Sequence, residues 1–134
     1  MTLHVKLVVP EGEVWTGDAD RVIAKTLDGD IGVLTGHTPV LGILATGSVV
    51  RILPEDGEAG GWVQAAVDGG FLSVADDKVS ILARQAVLGT DVDPRTTRVA
   101  LEEAIVVAVA AGEGEDSAEV RYHRARLRAA GEDA

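Results

Sequence analysis

The sequence predicts a mainly β protein with an α appendage: an N-terminal antiparallel β-sandwich over residues 1–90 and a C-terminal αα-hairpin over residues 91–134. Two observations support this division. As far as Gly89 the chain is rich in Gly and Val, and turn residues interrupt it about every 8–12 residues, as in sandwiches and barrels. Beyond Asp93 the composition favours helix, and the glycines at 112 and 114 break it into two segments.

Short strands are expected throughout the sandwich region. Val5, Leu7 and Val9 alternate with His4 and Lys6, which predicts a half-buried first strand. We expect further strands at residues 14–15, 21–27, 31–34, 48–53, 62–67, 71–74 and 78–82, with turns at 10–13, 16–18, 28–30, 54–61 and 75–77. Residues 39–44 are apolar throughout, which predicts a segment buried on both sides.

Two capped helices are expected in the hairpin. Asp93 followed by Pro94 is a helix start, and Ser117 is the N-cap candidate of a second helix that ends near Ala130. Each helix carries an apolar stripe at helical spacing, namely Leu101, Ala104, Ile105, Ala108 and Ala111 on the first, and Val120, His123, Leu127 and Ala130 on the second. Helices of this length are marginal in isolation, so both need a surface on which to lie.

The composition restricts the class of partner and the compartment. The net charge is −10, which fits nucleic acid or an anionic lipid surface poorly and fits either a basic protein partner or simple solubility. The absence of cysteine excludes disulfides and thiolate metal sites. No apolar run approaches the ~20 residues of a membrane span, and the N-terminus does not resemble a signal peptide. We therefore expect a cytoplasmic protein that reaches a membrane only through another protein.

The sequence offers no catalytic or metal-binding constellation. Its three histidines, His4, His37 and His123, lie far apart and lack metal-ligand spacing. The pair Gly29 and Gly32 lacks the third glycine and the context of a dinucleotide-binding fingerprint, and no Gly-Lys-Ser/Thr motif exists. Most carboxylates lie in turns, where a solvated turn residue is the ordinary explanation. The prediction is a protein that is not an enzyme and holds no metal or cofactor.

Four segments in order carry a resemblance to a known family: GDIGVLTGHTP at 29–39, GSVVRI at 47–52, VDGGFLSV at 67–74 and VSILA at 79–83. Their order and spacing resemble the epsilon subunit of the bacterial F-type ATP synthase. The resemblance implies a non-catalytic central-stalk rotor subunit of a proton-translocating synthase, which couples the gamma subunit to the c ring. It also implies a peripheral position at the cytoplasmic face of the cell membrane. The competing interpretation is an unrelated acidic β-sandwich that binds a ligand or a protein.

The resemblance implies docking to the c ring and gamma through Asp30 and His37, on a loop that Gly29, Gly32 and Gly36 shape. The alternatives are a turn carboxylate bonded to a backbone amide for Asp30, and a loop-ordering hydrogen bond for His37. The family pattern usually has proline at the position of Thr35, so the chain departs from it there.

For the hairpin, the resemblance implies two positions, folded on the sandwich or extended along gamma into the alpha/beta catalytic head, where it inhibits ATP hydrolysis. The few large apolar residues predict a modest docking free energy, so both positions would be populated. Asp93 matches one position of the family's ATP-binding motif, but Thr96 and Thr97 do not. Candidate contacts with ATP or another regulatory surface are Asp93, Arg121, Arg124 and Arg128, and a solvated basic face is the alternative.

Overall fold

The computed structural model describes residues 2–55, 61–114 and 117–134. These residues form nine strands and two α-helices. The strands are β1 Leu3–Val9, β2 Gly12–Thr26, β3 Gly29–Val33, β4 Val40–Ile43, β5 Thr46–Pro54, β6 Val63–Asp68, β7 Gly70–Ala75, β8 Lys78–Ala83 and β9 Ala86–Leu88. A 3₁₀ turn at Gly89–Asp91 leads to α1, Pro94–Ala110, and the second helix, α2, spans Ala118–Ala129. The middle of the predicted loop at 54–61 and part of the predicted helix break after Gly112 lie outside the described residues.

The strands form one hydrogen-bonded path, in the order β4-β7-β8-β1-β2-β5-β6-β9, with β3 on β2. All pairings are antiparallel except that between β1 and β8. The long strand β2 pairs with β1 through its first half and with β3 and β5 through its second half. It therefore belongs to both layers of a sandwich, whose core is aliphatic. The predicted sandwich followed by two helices is confirmed.

The predicted turn at residues 16–18 is wrong, because β2 continues through it. All three residues pair with β1; Gly17, for example, lies opposite Val5. A Cβ atom at Gly17 would lie 3.0 Å from the ring of Trp15, so the glycine makes room for the indole rather than ending the strand.

The expectation that residues 39–44 are buried on both sides is also wrong. Strand β4 lies at the end of the sheet path, and its side chains alternate between half-buried and exposed. Leu41 is 72% exposed and Ile43 is 52% exposed, whereas Leu44, just after the strand, is buried. Only one face of this strand is covered, so its outward apolar side chains contact solvent.

Both helices of the hairpin begin at their predicted N-caps, and α2 packs against its neighbours through more residues than the predicted stripe contains. Asp93 and Ser117 each accept a hydrogen bond from the first turn of their helix. Helix α2 lies between the sheet and α1: one face packs on α1, and the other packs on β5, β6 and β9. Its sheet-facing residues, which the predicted stripe omitted, are Tyr122, Ala125 and Ala129. Ala111 belongs to the predicted stripe of the first helix, but it is the exposed C-cap of α1.

Two glycines allow α2 to lie close to the sandwich. A Cβ atom at Gly47 would lie 2.5 Å from the backbone carbonyl carbon of Arg121, near the start of the helix. A Cβ atom at Gly89 would lie 1.9 Å from the carbonyl oxygen of Ala129, at its end. Both distances are too short for any side chain, so the helix backbone contacts the sandwich at both ends through glycine. We call Gly47 and Gly89 the glycine seats of α2.

Candidate functional site

The turn between β2 and β3 presents Asp30 to solvent. Gly29 has a φ of +120°, a conformation that glycine adopts readily, and the Thr26 hydroxyl donates to its carbonyl oxygen at 2.8 Å. Thr26 Oγ1 also accepts from the Asp28 N–H at 3.2 Å. Asp30 lies opposite Lys25 across the ladder, and no hydrogen bond reaches its carboxylate from the described residues. In this turn Thr26, rather than Asp30, satisfies the backbone.

The loop between β3 and β4 is fixed by a second turn. The His37 N–H donates to the Leu34 carbonyl at 3.1 Å, and Gly36, third in this turn, has a φ of +81°. Thr35 holds the second position, which proline favours in such turns. The Gly36 N–H donates to Asp77 Oδ1 at 2.7 Å, which ties the loop to the turn between β7 and β8. The backbone of the loop is therefore held by an element distant in sequence.

The half-buried side chain of His37 is oriented by its neighbour. Its Nδ1 lies 2.6 Å from the Thr38 carbonyl oxygen, which can only accept, so Nδ1–H is the donor. In the neutral ring Nε2 is then left as an acceptor. The loop-ordering hydrogen bond that was the alternative explanation of His37 is present, and it also fixes the ring in one orientation.

Gly32 differs from the other two glycines of this segment. It has an ordinary extended backbone, and a Cβ atom there would meet nothing within 4 Å. The local structure therefore does not require glycine at this position. Because glycine has no side chain, the exposed surface of β3 is flat beside Ile23, the residue that pairs with Gly32 on β2.

An exposed apolar patch crosses three adjacent strands, and the sequence reasoning missed it. We define the outer-face patch as Leu41, Ile43, Phe71 and Leu82, each at least half exposed. Ile43 lies opposite Phe71, which lies opposite Leu82, so the three form one row. The exposed Leu27 adjoins this row, because its N–H donates to the Ile43 carbonyl at 2.9 Å. Strand β4 has apolar residues on both of its faces, so its sequence carries no signal for which face is exposed.

The patch is continuous with the two loops already described. Leu27 belongs to the turn that leads to Asp30, and β4 begins three residues after His37. Lone exposed apolar side chains are ordinary, whereas contiguous groups on a flat surface mark protein interfaces. The arrangement can bind a protein surface and presents polar groups at its ends.

The hairpin residues singled out from the sequence divide into two places. Arg121 and Arg128 line a groove on the flank of α2, together with Asp30. Arg124 lies between them along the helix and is half-buried. Asp93 instead accepts from the Arg95 N–H at 3.0 Å and lines a separate concavity beside Thr96. The structure thus brings Arg121 and Arg128, but not Asp93, to the groove that Asp30 lines.

A buried polar group lies under α2. Asp68 is 7% exposed, and its Oδ2 accepts from Arg84 at 3.2 Å and from Gln85 at 3.4 Å. Burial raises the pKa of the neighbouring Tyr122 phenol; the charge of Arg126 opposes this shift and that of Asp68 adds to it. Because Tyr122 lies between α2 and the sheet, its ionisation is linked to the position of the helix.

The described residues contain no cluster of three or more His, Cys, Asp or Glu side chains suited to a metal ion. None of the helices in the described ranges combines the length and the apolar character needed to cross a bilayer.

Residues 2–89 match the family model described as "ATP synthase, Delta/Epsilon chain, beta-sandwich domain". The ATP synthase epsilon chain of Thermobifida fusca is 51% identical over 131 residues, covering 96% of this chain and 91% of the relative. That of Streptomyces coelicolor is 47% identical over 128 residues, covering 96% and 94%.

Solved structures agree with this fold. A chain in the cryo-EM structure of the Euglena gracilis mitochondrial ATP synthase (OSCP/F1/c-ring in rotational state 1) superposes with a TM-score of 0.68 at 25% identity, covering 94% of this chain and 75% of that one. A chain of the Tetrahymena thermophila mitochondrial ATP synthase central stalk/c-ring structure has a TM-score of 0.55 at 20% identity, over 73% and 71% of the two chains, which supports the fold alone. The matched domain and the near-half identity to full-length relatives together show that the chain belongs to the family of ATP synthase epsilon chains.

Proposed function

We propose that this chain couples the gamma subunit to the c ring in the central stalk of a proton-translocating F-type ATP synthase, and that its hairpin inhibits ATP hydrolysis. As a family member it is an accessory, non-catalytic chain of the synthase. Its place is peripheral, held at the cytoplasmic face of the membrane through the complex. The observation that carries the docking proposal is the outer-face patch, which leaves four large apolar side chains exposed on three adjacent strands.

Two parts of the surface divide the docking roles. The patch supplies apolar area for gamma, since desolvation of such side chains stabilises association. Asp30 and His37, on backbone held by Thr26 and Asp77, supply the polar contacts to the c ring and gamma. Rigid presentation reduces the entropy lost on binding, which suits a joint that transmits torque. A small-molecule module would need a concave apolar pocket, and this face is a sheet surface.

The hairpin is suited to a second position. Its sheet-facing contacts come from Tyr122 and two alanines, so undocking uncovers modest apolar area. The opposite surface of α1 carries four valines that are each more than half exposed, namely Val99, Val106, Val107 and Val109. An extended hairpin would place this surface along gamma and toward the alpha/beta head. A nucleotide role has less support, because Asp93 lines one concavity and Arg121 and Arg128 line another.

The docking proposal is tested by capture of purified gamma on the immobilised chain. Ile43→Ser with Phe71→Ser removes the centre of the outer-face patch. Glu11→Ser with Arg21→Ser is the control, because both residues are exposed on the sandwich outside the patch and their joint removal leaves the net charge unchanged. Full burial of an Ile or Phe side chain contributes about 1.5–3 kcal/mol, and about half of that remains to be gained here. The patch variant should weaken capture at least tenfold, and the control should not. Equal capture by both variants would count against docking through the patch.

A further inference from the structure

A groove runs along the flank of α2, between the helix and the outward face of β2, β3 and β5. Its helix wall carries Arg121 and Arg128, and its sheet wall carries Lys25 and Arg51. All four side chains are exposed. The groove therefore exists only while α2 lies on the sheet, because each wall comes from a different element.

The groove is basic in a chain whose net charge is −10. Its four cations face one carboxylate, that of Asp30. Within the described ranges, Lys25, Arg121 and Arg128 have no acidic side chain within 4 Å. The positive potential is thus largely unneutralised, which favours an anionic ligand.

The cations are spread along the groove rather than gathered at one point. Arg121 and Arg128 are separated by two helical turns, about 10 Å along the axis. On the other wall the Arg51 guanidinium lies over the Trp62 ring, 4.9 Å from its centroid, so it is held in place. A peptide in the extended polyproline II conformation has three residues per turn and advances about 3.1 Å per residue, so carboxylates three residues apart lie on one face about 9 Å apart and match this spacing. Gln64 and Thr46 line the same groove and can bond a peptide backbone.

We propose that this groove binds an acidic peptide segment of a protein partner, in the extended polyproline II conformation, with carboxylates three residues apart. Binding requires the docked hairpin and in turn stabilises it, because the ligand contacts both walls. The groove borders the proposed docking surface at Asp30, but its four cations lie outside the outer-face patch, and its test changes neither Asp30 nor any residue of the patch.

The test is fluorescence anisotropy of the full chain with a labelled peptide of about ten residues that has aspartate at every third position and serine elsewhere. Saturable binding is expected, and Arg121→Gln with Arg128→Gln should weaken it about tenfold. Arg95→Gln with Lys78→Gln is the control, since it removes the same charge outside the groove. Lys25→Gln, on the sheet wall, should also weaken binding, which separates loss of the site from any unfolding of α2.

Three results would overturn the proposal. One is equal weakening by the control pair, which would mean attraction to the overall field of the protein. Another is displacement of the peptide by an equal concentration of inorganic tripolyphosphate, which would mean a site for small anions. The third is the absence of saturable binding at low salt, where exposed charge pairs are strongest.

Discussion

Replacing Gly89 with alanine places a methyl carbon 1.9 Å from the Ala129 carbonyl oxygen at the end of α2. An ordinary contact of this kind is about 3.5 Å, so the helix end must move by about 1.5 Å. Gly89 is not among the glycines with positive φ, so alanine adds little backbone strain of its own. The steric conflict therefore falls on the docked position of the helix.

The magnitude follows from the cost of overpacking, about 1–3 kcal/mol. Because a tenfold change corresponds to about 1.4 kcal/mol, the variant should shift the hairpin equilibrium toward the undocked state by about 5- to 150-fold. The sandwich core, whose buried residues do not include Gly89, should keep its stability. Amide hydrogen exchange is the first assay: protection should fall throughout α2 and remain unchanged in β1 and β8.

Tyr122 supplies an independent reading, since it is the only tyrosine in the chain. Burial against the sheet raises the pKa of its phenol above the usual value of about 10. Ultraviolet titration of tyrosinate should show this raised pKa in the wild type and a value nearer 10 in Gly89→Ala. Gly32→Ala is the control, because a Cβ atom there meets nothing within 4 Å on an ordinary backbone. Wild-type protection of α2 in Gly89→Ala, or the same loss in Gly32→Ala, would refute this reasoning.

Three further outcomes are expected. The raised pKa of Tyr122 means that the docked state favours the neutral phenol. Docking of the hairpin should therefore weaken as the pH rises through 10 and above, and the hydrogen-exchange protection of α2 at pH 8 and pH 11 measures this. Asp77→Gly keeps the positive φ in the turn between β7 and β8 but removes the acceptor of the Gly36 N–H. Amide hydrogen exchange should therefore rise about fivefold in residues 34–39 and not in the turn at Leu27. Unchanged exchange would mean that another contact holds the loop. Leu127→Ala removes a fully buried side chain of α2 and should destabilise the hairpin by about 2–5 kcal/mol. Hydrogen-exchange protection of α2 should fall, whereas the thermal midpoint of the sandwich should not change. A lowered midpoint would show that the two parts unfold together.

Local chemistry in the sequence predicted the ends of elements well. Asp93 and Ser117 begin helices because their side chains satisfy free backbone amides, and this depends on a few neighbouring residues. The turn at Asp76 and Asp77 was likewise predictable, because both adopt positive φ, which aspartate tolerates. Such features require no knowledge of distant contacts.

The errors came from contacts between distant parts of the chain. Gly17 and its neighbours are residue types that favour turns, but the pairing of Gly17 with Val5 on β1 keeps it in a strand. Leu41 is an apolar residue of the type found in cores, but β4 lies at the end of the sheet path and the face that carries Leu41 is left uncovered. The buried side of α2 could not be seen in its own periodicity, because Ala125 and Ala129 become core residues only where the glycine seats bring the helix close.

The docking roles of Asp30 and His37 come from the family resemblance of the glycine-rich segment and stay predictions. The hydrogen bond from Gly36 to Asp77 joins residues 41 positions apart and has no local signal in the sequence. The convergence of Arg121 and Arg128 with Lys25 likewise depends on how α2 lies across the sheet. The sequence indicates which side chains are candidates for the site, but which residues surround them depends on the tertiary structure.

The most direct test of the proposed coupling and inhibition is ATP hydrolysis by synthase reconstituted with the chain cut after Thr90, compared with the full chain. The cut leaves every strand and the outer-face patch in place and removes α1 and α2. The truncated chain should still assemble with gamma and the c ring, and hydrolysis should rise because the inhibitory hairpin is gone. Assembly with unchanged hydrolysis would contradict the inhibitory role, and failure of a folded, truncated chain to assemble would contradict docking through the sandwich.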